Sequence, residues 1–215
     1  AVLDTKGAWN HKLLTAFGIE VVSQRVVRTA GEAVEAAREL GLPAVLKTAE
    51  AGAHKTEEGG VALDLRDEKQ VRGAAERIGA PLIVQPLVSG SAELLAGIVQ
   101  DPVFGPLVAF GPGGVLAELL GDAAFRIAPL TDVDAEEIVQ AGKAGRLVAG
   151  FRGAPEADAA ALVELVLRLS RLAQDLPEVA ELDLTPVISL ESGYVAVDAR
   201  ARVRRPSAPQ ALKSW

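Results

Sequence analysis

The chain has 215 residues, 49% of them hydrophobic and 24% charged, with a formal net charge of -7. It is long enough for one sizeable core or two small lobes, too apolar for a disordered chain, and too acidic for a general nucleic-acid binder, which would carry a basic footprint. Cysteine is absent, which excludes disulfides and thiolate metal sites and suits a cytoplasmic protein. There is no signal peptide and no membrane-spanning apolar run. Methionine is absent too, as in a processed subunit, an excised domain or an edited sequence.

In chain order, the run IEVVSQRVV (19–27) is strand-like and leads into a helix over 28–40, with Thr29 as N-cap and Glu32 three residues later in the capping-box position. Gly41 stops that helix, and PAVLKTA opens a short apolar strand at Pro43. The loop AGAHKTEEGG (51–60) separates it from the strand VALDL (61–65), the helix 66–78, and a buried strand 80–88 that breaks at Pro86. Two further strands, 92–101 and 105–114, are joined by a turn at DPVFG. The glycine-rich segment from Gly111 to Leu130 has no clear period. A helix is expected over 132–148, with acids in its first turn where they favour the dipole. Another is expected over 155–176, where Leu162, Leu165, Leu169 and Leu172 form one stripe that ends before Pro177. VAELDLTPVISL and GYVAVDARARV alternate around the turn ESG and read as a hairpin. The polar segment after Val203 reads as a tail or linker.

Three places carry chemistry. Lys47, at the end of an apolar strand, is either a surface lysine or a cation for a phosphate. His54, one of two histidines, sits with Lys55, Thr56 and the Gly59–Gly60 pair in a loop that resembles an anion nest, although Glu57 and Glu58 oppose that reading. Its alternative is an ordinary surface histidine. Asp183 and Asp198 fall on adjacent strands of the terminal hairpin among apolar neighbours. Buried there, they call either for a shared Mg²⁺ or for arginine partners such as Arg126 or Arg200.

The ordered set LPAVLKT, HKTEEGGVALDL, VQPLVSGSAELLAGIVQDPVFGPLVAFGPGG, AFRIAPL, ELDLTPV and VAVDAR resembles the ATP-grasp domain of ADP-forming acyl-CoA synthetases, relatives of the succinyl-CoA synthetase β subunit. The resemblance runs from about Leu13 to Val203. It implies an α/β (α+β) ATP-grasp fold over 1–203, with a tail or linker over 204–215. Two lobes, approximately 13–85 and 86–203, would hold the nucleotide cleft between them. ATP or ADP and Mg²⁺ are the implied cofactors.

On the matching positions, Lys47 would meet the nucleotide phosphates, and Gln85, Leu87 and Val88 would form the adenine edge through backbone groups. Glu93 would be the ribose-side acid, Gly113 and Gly114 would allow close backbone approach, and Arg126 would contact a phosphate. Asp183 and Asp198, with Thr185 where the family commonly has asparagine, would hold the metal. His54 would carry a phosphoryl group between a distant histidine and ADP, a role open to a nitrogen nucleophile. No G-x-G-x-x-G opens a helix, so a CoA-binding and ligase domain or α-type subunit is the expected partner, in a hetero-oligomer or a multidomain parent, with neither nucleic acid nor membrane involved. The same resemblance allows a degenerate nucleotide-sensing module of a larger regulatory protein, such as a protein acetyltransferase. A stand-alone ligase is disfavoured, because no separate acid-binding domain is visible.

Overall fold

In the computed structural model the described residues are 2–5, 8–49, 60–114 and 121–204. They form two compact units, and the smaller, Val22–Ser89, is inserted into the larger. The chain begins in the larger unit with strand β1 (Val2–Thr5) and helix α1 (Ala8–Ala16). Leu14 and Ile19 are buried in that unit's core, so residues 13–21 belong with the second half of the chain and not with lobe one, where the sequence reading drew them.

The smaller unit comprises β2 (Arg25–Val27), α2 (Ala30–Leu40), β3 (Ala44–Thr48), β4 (Val61–Leu65), α3 (Glu68–Ile78) and β5 (Leu82–Pro86). Its sheet runs β2-β5-β3-β4, antiparallel throughout. The strand expected over 19–27 shrinks to Arg25–Val27, because only those residues find a ladder partner on β5. Thr29 Oγ1 accepts the Glu32 N–H at 3.1 Å, as the sequence predicts, and Asp67 Oδ1 accepts the Gln70 N–H at 2.8 Å to start α3. The helices bury alanine-rich faces, Ala33, Ala36 and Ala37 on α2 and Ala74 and Ala75 on α3.

The chain re-enters the larger unit with β6 (Ala92–Asp101), β7 (Gly105–Pro112) and β8 (Ala124–Ile127). Helices α4 (Asp132–Gln140), α5 (Gly142–Val148) and α6 (Ala159–Asp175) follow, then β9 (Val179–Ser189), β10 (Tyr194–Ala196) and β11 (Ala199–Arg204). The helix expected over 132–148 is two helices, because the chain turns at Gly142 with φ +55°. The sheet order is β1-β11-β9-β6-β7-β8, and β10 extends the hairpin alongside the far end of β9. Leu162, Leu165, Leu169 and Leu172 are fully buried in one cluster with Leu94, Ile98, Val108, Phe110, Leu182 and Leu184. The leucine stripe thus covers one face of the sheet, as its spacing predicts. Among the described residues no helix is long and apolar enough to cross a membrane. The tail, apart from Arg204 at the end of β11, lies outside the described residues.

Candidate functional site

Strand register decides which side chains share a face of the large sheet. Leu182, Ile98, Val108 and Arg126 are successive cross-strand neighbours, and the first three are core residues. The adjacent row contains Asp183, Gly97, Ala109 and Phe125, and Arg200 lies opposite Asp183 on β11. Side chains alternate along a strand, so Asp183 points away from the helices while Arg126 points toward them.

The carboxylate hairpin forms as the alternation predicts, with one irregularity. Tyr194 pairs with Ser189 and Ala196 with Val187, then the ladder lapses and resumes with Ala199 against Leu184. Asp198 lies in the gap. It faces the neighbourhood of Thr185, while Arg200 faces Asp183, so the two acids are diagonal neighbours. A depression on the unit's surface is lined by Asp183, Thr185, Asp198, Ala199 and Arg200. Thr185 Oγ1 donates to Asp183 Oδ1 at 2.5 Å, and Asp198 Oδ1 accepts the Ala199 N–H at 3.0 Å. Asp183, Thr185 and Asp198 are partly exposed, which differs from the buried setting expected of them and removes most of the desolvation cost. The arginine alternative is not realised with Arg126, which bonds Glu137 at 3.4 Å and the Phe125 carbonyl at 3.0 Å. Among the described residues no ion pair joins Arg200 to Asp183.

Gly97 matters to this arrangement. It pairs with Asp183, and a Cβ there would come within 2.4 Å of the Leu182 carbonyl oxygen. At the start of β6, Glu93 is exposed and lies over the glycines that follow β7. The Gly113 N–H donates to the Glu93 carbonyl at 2.9 Å, and a Cβ on Gly114, whose φ is +61°, would meet Glu93 Oε2 at 2.2 Å. The structure therefore brings Glu93, Gly113 and Gly114 together, and the approach those glycines permit is to β6 and its acid.

In the smaller unit Lys47 lies on β3 between β4 and β5, paired with Val61 and Ile83. Only 9% of it is exposed, which rules out the surface-lysine reading. A lysine head buried in such a strand is tolerated only where its charge is paired or hydrogen-bonded. Gln85 is buried at the β5 end, its Nε2 donating to Gln24 Oε1 at 3.0 Å. The Leu87 N–H donates to the Pro43 carbonyl at 2.8 Å and is committed within the unit. Val88, on the exit from β5, is partly exposed. His54, with Gly52, Lys55, Thr56, Glu57, Glu58 and Gly59, lies outside the described residues.

Asp158 is a residue that sequence reasoning missed. It caps α6 by accepting the Ala161 N–H at 3.0 Å and accepts the Gly193 N–H of the hairpin turn at 2.9 Å. Those two backbone bonds, the Ala161 one first, hold its carboxyl below the usual carboxylate range. Its signal was an aspartate before an apolar-periodic run, the ordinary mark of an N-cap.

The donor set fits Mg²⁺. All the donors in the depression are hard oxygens, and Mg²⁺ is ordinarily held by one or two carboxylates together with substrate phosphates. Among the described residues no three histidine or acidic side chains converge.

The ATP-grasp domain family matches residues 4–203. The chain belongs to that family. This ATP-grasp domain is 40% identical over 206 residues to the ADP-forming acetate–CoA ligase I of Archaeoglobus fulgidus, covering 90% of the chain but 30% of that protein. It is 35% identical to the β subunit of the ADP-forming acetate–CoA ligase I of Pyrococcus furiosus, covering 88% of the chain and 87% of that subunit. The domain thus spans about a third of the single-chain relative and nearly all of the separate subunit. Among solved structures, the acetyl-coenzyme A synthetase 1 of Ca. Korarchaeum cryptofilum superposes with a TM-score of 0.82 at 40% identity, covering 91% of this chain and 90% of that one. That protein was solved with coenzyme A and Mg-AMPPCP, its phosphohistidine segment pointing towards the nucleotide binding site.

Proposed function

We propose that this chain is the nucleotide-binding, phosphoryl-transferring part of an ADP-forming acyl-CoA synthetase, which joins an acid to CoA while ATP becomes ADP and phosphate. The observation that carries the reading is the match along nearly the whole length of a β subunit of such a ligase. The oxygen-lined depression, chemically suited to Mg²⁺, supports it. Residues 1–203 are the ATP-grasp domain and 204–215 a tail or linker. CoA and acyl chemistry belong to a partner domain or α-type subunit, and the reaction is cytoplasmic.

Lys47 supplies a cation to the nucleotide phosphates, and the backbone from Gln85 to Val88 borders the base. Glu93, backed by Gly113 and Gly114, takes the ribose side. Asp183 and Asp198 are the carboxylates that would hold Mg²⁺, which when bound spreads the charge of the phosphates. Thr185 fixes the orientation of Asp183. Arg126 faces the helices, so its assignment to a phosphate has no support in its surroundings. His54 is the phosphoryl carrier: its imidazole nitrogen takes the terminal phosphoryl group as the bond to the ADP oxygen breaks, and the reverse transfer regenerates ATP. The phosphohistidine segment of the Korarchaeum relative supports this assignment.

Calorimetry of the chain with ADP or ATP is the direct test. Nucleotide should bind, and Mg²⁺ should tighten it; absence of binding under every metal condition overturns the reading. In the complete enzyme, His54→Ala should abolish ADP-forming turnover and leave ADP binding nearly intact. The parent should gain an acid-labile, base-stable phosphate on His54 when given ATP. Full turnover by the variant would remove the carrier role. Nucleotide binding without turnover in the parent would make the domain a sensor.

A further inference from the structure

Two consecutive pairs on the same two strands behave differently. On β11 and β9, Arg202 lies opposite Glu181 and Arg200 opposite Asp183. The first pair is closed: Arg202 Nη1 is 2.9 Å from Glu181 Oε2. The second is not. Asp183 accepts the Thr185 hydroxyl instead, and its shorter side chain leaves the oxygens near its own strand. Arg200 is exposed and lines the same depression as both carboxylates. Among the described residues other exposed arginines, Arg28, Arg72 and Arg146 among them, also stand outside the ion pairs, but none of them lines a depression together with two carboxylates.

What sets Arg200 apart is its place, directly opposite an acid that is engaged elsewhere and at the rim of a depression that two carboxylates share. We propose that Arg200 binds a phosphoryl oxygen of the ligand that the Asp183–Asp198 pair receives together with a divalent cation. The proposal rests on the reading above and assigns a further binding residue to it. Three features make the chemistry fit. The planar fork of arginine matches two oxygens of one phosphoryl group, which a lysine ammonium does not. The carboxylates alone would repel a polyphosphate, so a site of two acids needs a cation from the protein as well as one from solution. The Thr185 hydroxyl holds Asp183 Oδ1 toward its own strand, and the guanidinium across from it makes no ion pair with that acid.

The signs of the expected effects separate this role from a structural one. As a nearby positive charge, Arg200 opposes a bare cation and attracts a phosphate. Arg200→Gln should therefore leave Mn²⁺ binding in the absence of nucleotide unchanged or tighter, read by electron paramagnetic resonance of free Mn²⁺. The same change should weaken Mg²⁺-dependent ADP and ATP binding about tenfold or more in calorimetry, with Arg200→Lys recovering part of it. Adenosine binding should not move. Equal ADP affinity in parent and Arg200→Gln, or a loss of Mn²⁺ binding in that variant, overturns the proposal while the nucleotide reading stands. Pyrophosphate with Mn²⁺ is the independent probe. If the parent binds no nucleotide but binds Mn²⁺–pyrophosphate in an Arg200-dependent way, the nucleotide reading falls and the phosphoryl contact survives. If it binds neither, both fall.

Discussion

The two units are packed from different materials. Half of the buried cluster in Val22–Ser89 is alanine, with Leu46, Leu65 and Leu82 as its largest members. The buried cluster of the larger unit instead interleaves Leu162, Leu165, Leu169, Leu172, Leu182, Leu184 and Phe110. Small side chains let α2 and α3 approach their sheet closely, so the smaller unit has little spare volume and few atoms to lose. The larger unit depends on long side chains filling the space between helices and sheet. Cavities should therefore damage the larger unit most, and added bulk the smaller one. Their chemistry differs in the same way, with a buried cation on the smaller sheet and half-buried carboxylates on one face of the larger.

The largest effect should come from emptying the leucine stripe. Leu169→Ala should cost about 2–5 kcal/mol in denaturant unfolding followed by circular dichroism. A cost near zero would mean that α6 repacks freely and would erase the contrast. Next, Lys47→Ala should weaken nucleotide binding by about 1.5–3 kcal/mol, because a charge-assisted contact is lost. Unchanged affinity would leave that cation with a purely structural role. Ala36→Leu, on the fully buried face of α2, should destabilise the smaller unit by about 1–3 kcal/mol through overpacking. If it is tolerated, the alanine face has room that the packing denies.

The smallest effect concerns Asp158, which belongs to the larger unit alone. Its folded-state pKa is lowered by the Ala161 and Gly193 amides. Its stabilising contribution is therefore complete above the ordinary carboxylate value, about 3.9, and disappears as pH falls through the lower folded value. Asp158→Asn should flatten the acid limb of the stability profile and leave the neutral region little changed. An acid limb identical to the parent's would show that other carboxylates set it.

Much of this was legible in the sequence because it is local. The Thr29 cap, the α6 stripe and the β9–β10 hairpin all depend on neighbours within a few residues. The β1 strand and α1 were not legible. Four residues of strand have no pattern of their own, and β1 is defined by pairing with β11 at the far end of the chain. The failed strand at 19–24 has the opposite cause, an apolar-looking run that finds only an isolated bridge, Val21 beside Ala196. For the site, residue types and order were sufficient to gather Asp183, Thr185 and Asp198 on one hairpin; that Glu93 lies over Gly113 and Gly114 was not legible. They were insufficient for Arg126, because which face a strand residue takes follows from register across four strands. Arg200 was named only as a counterion; its distinctive feature, a direct opposite number engaged by a third residue, exists only in three dimensions.

The insertion of one unit into the other also sets an order of events during synthesis. Val22–Ser89 is contiguous and holds all the strands its own sheet needs, so it can close as soon as those residues leave the ribosome. The larger unit cannot. Asn10 of α1 donates to the Ala199 carbonyl at 2.9 Å across 189 positions, and the sheet is incomplete until β11 arrives. Its first helix must wait, unsheltered, for nearly the whole chain to be made. On nascent chains arrested after β7, protease should spare the segment 22–89 and cut within α1. Protection of both would mean that the larger unit has another way of sheltering its beginning.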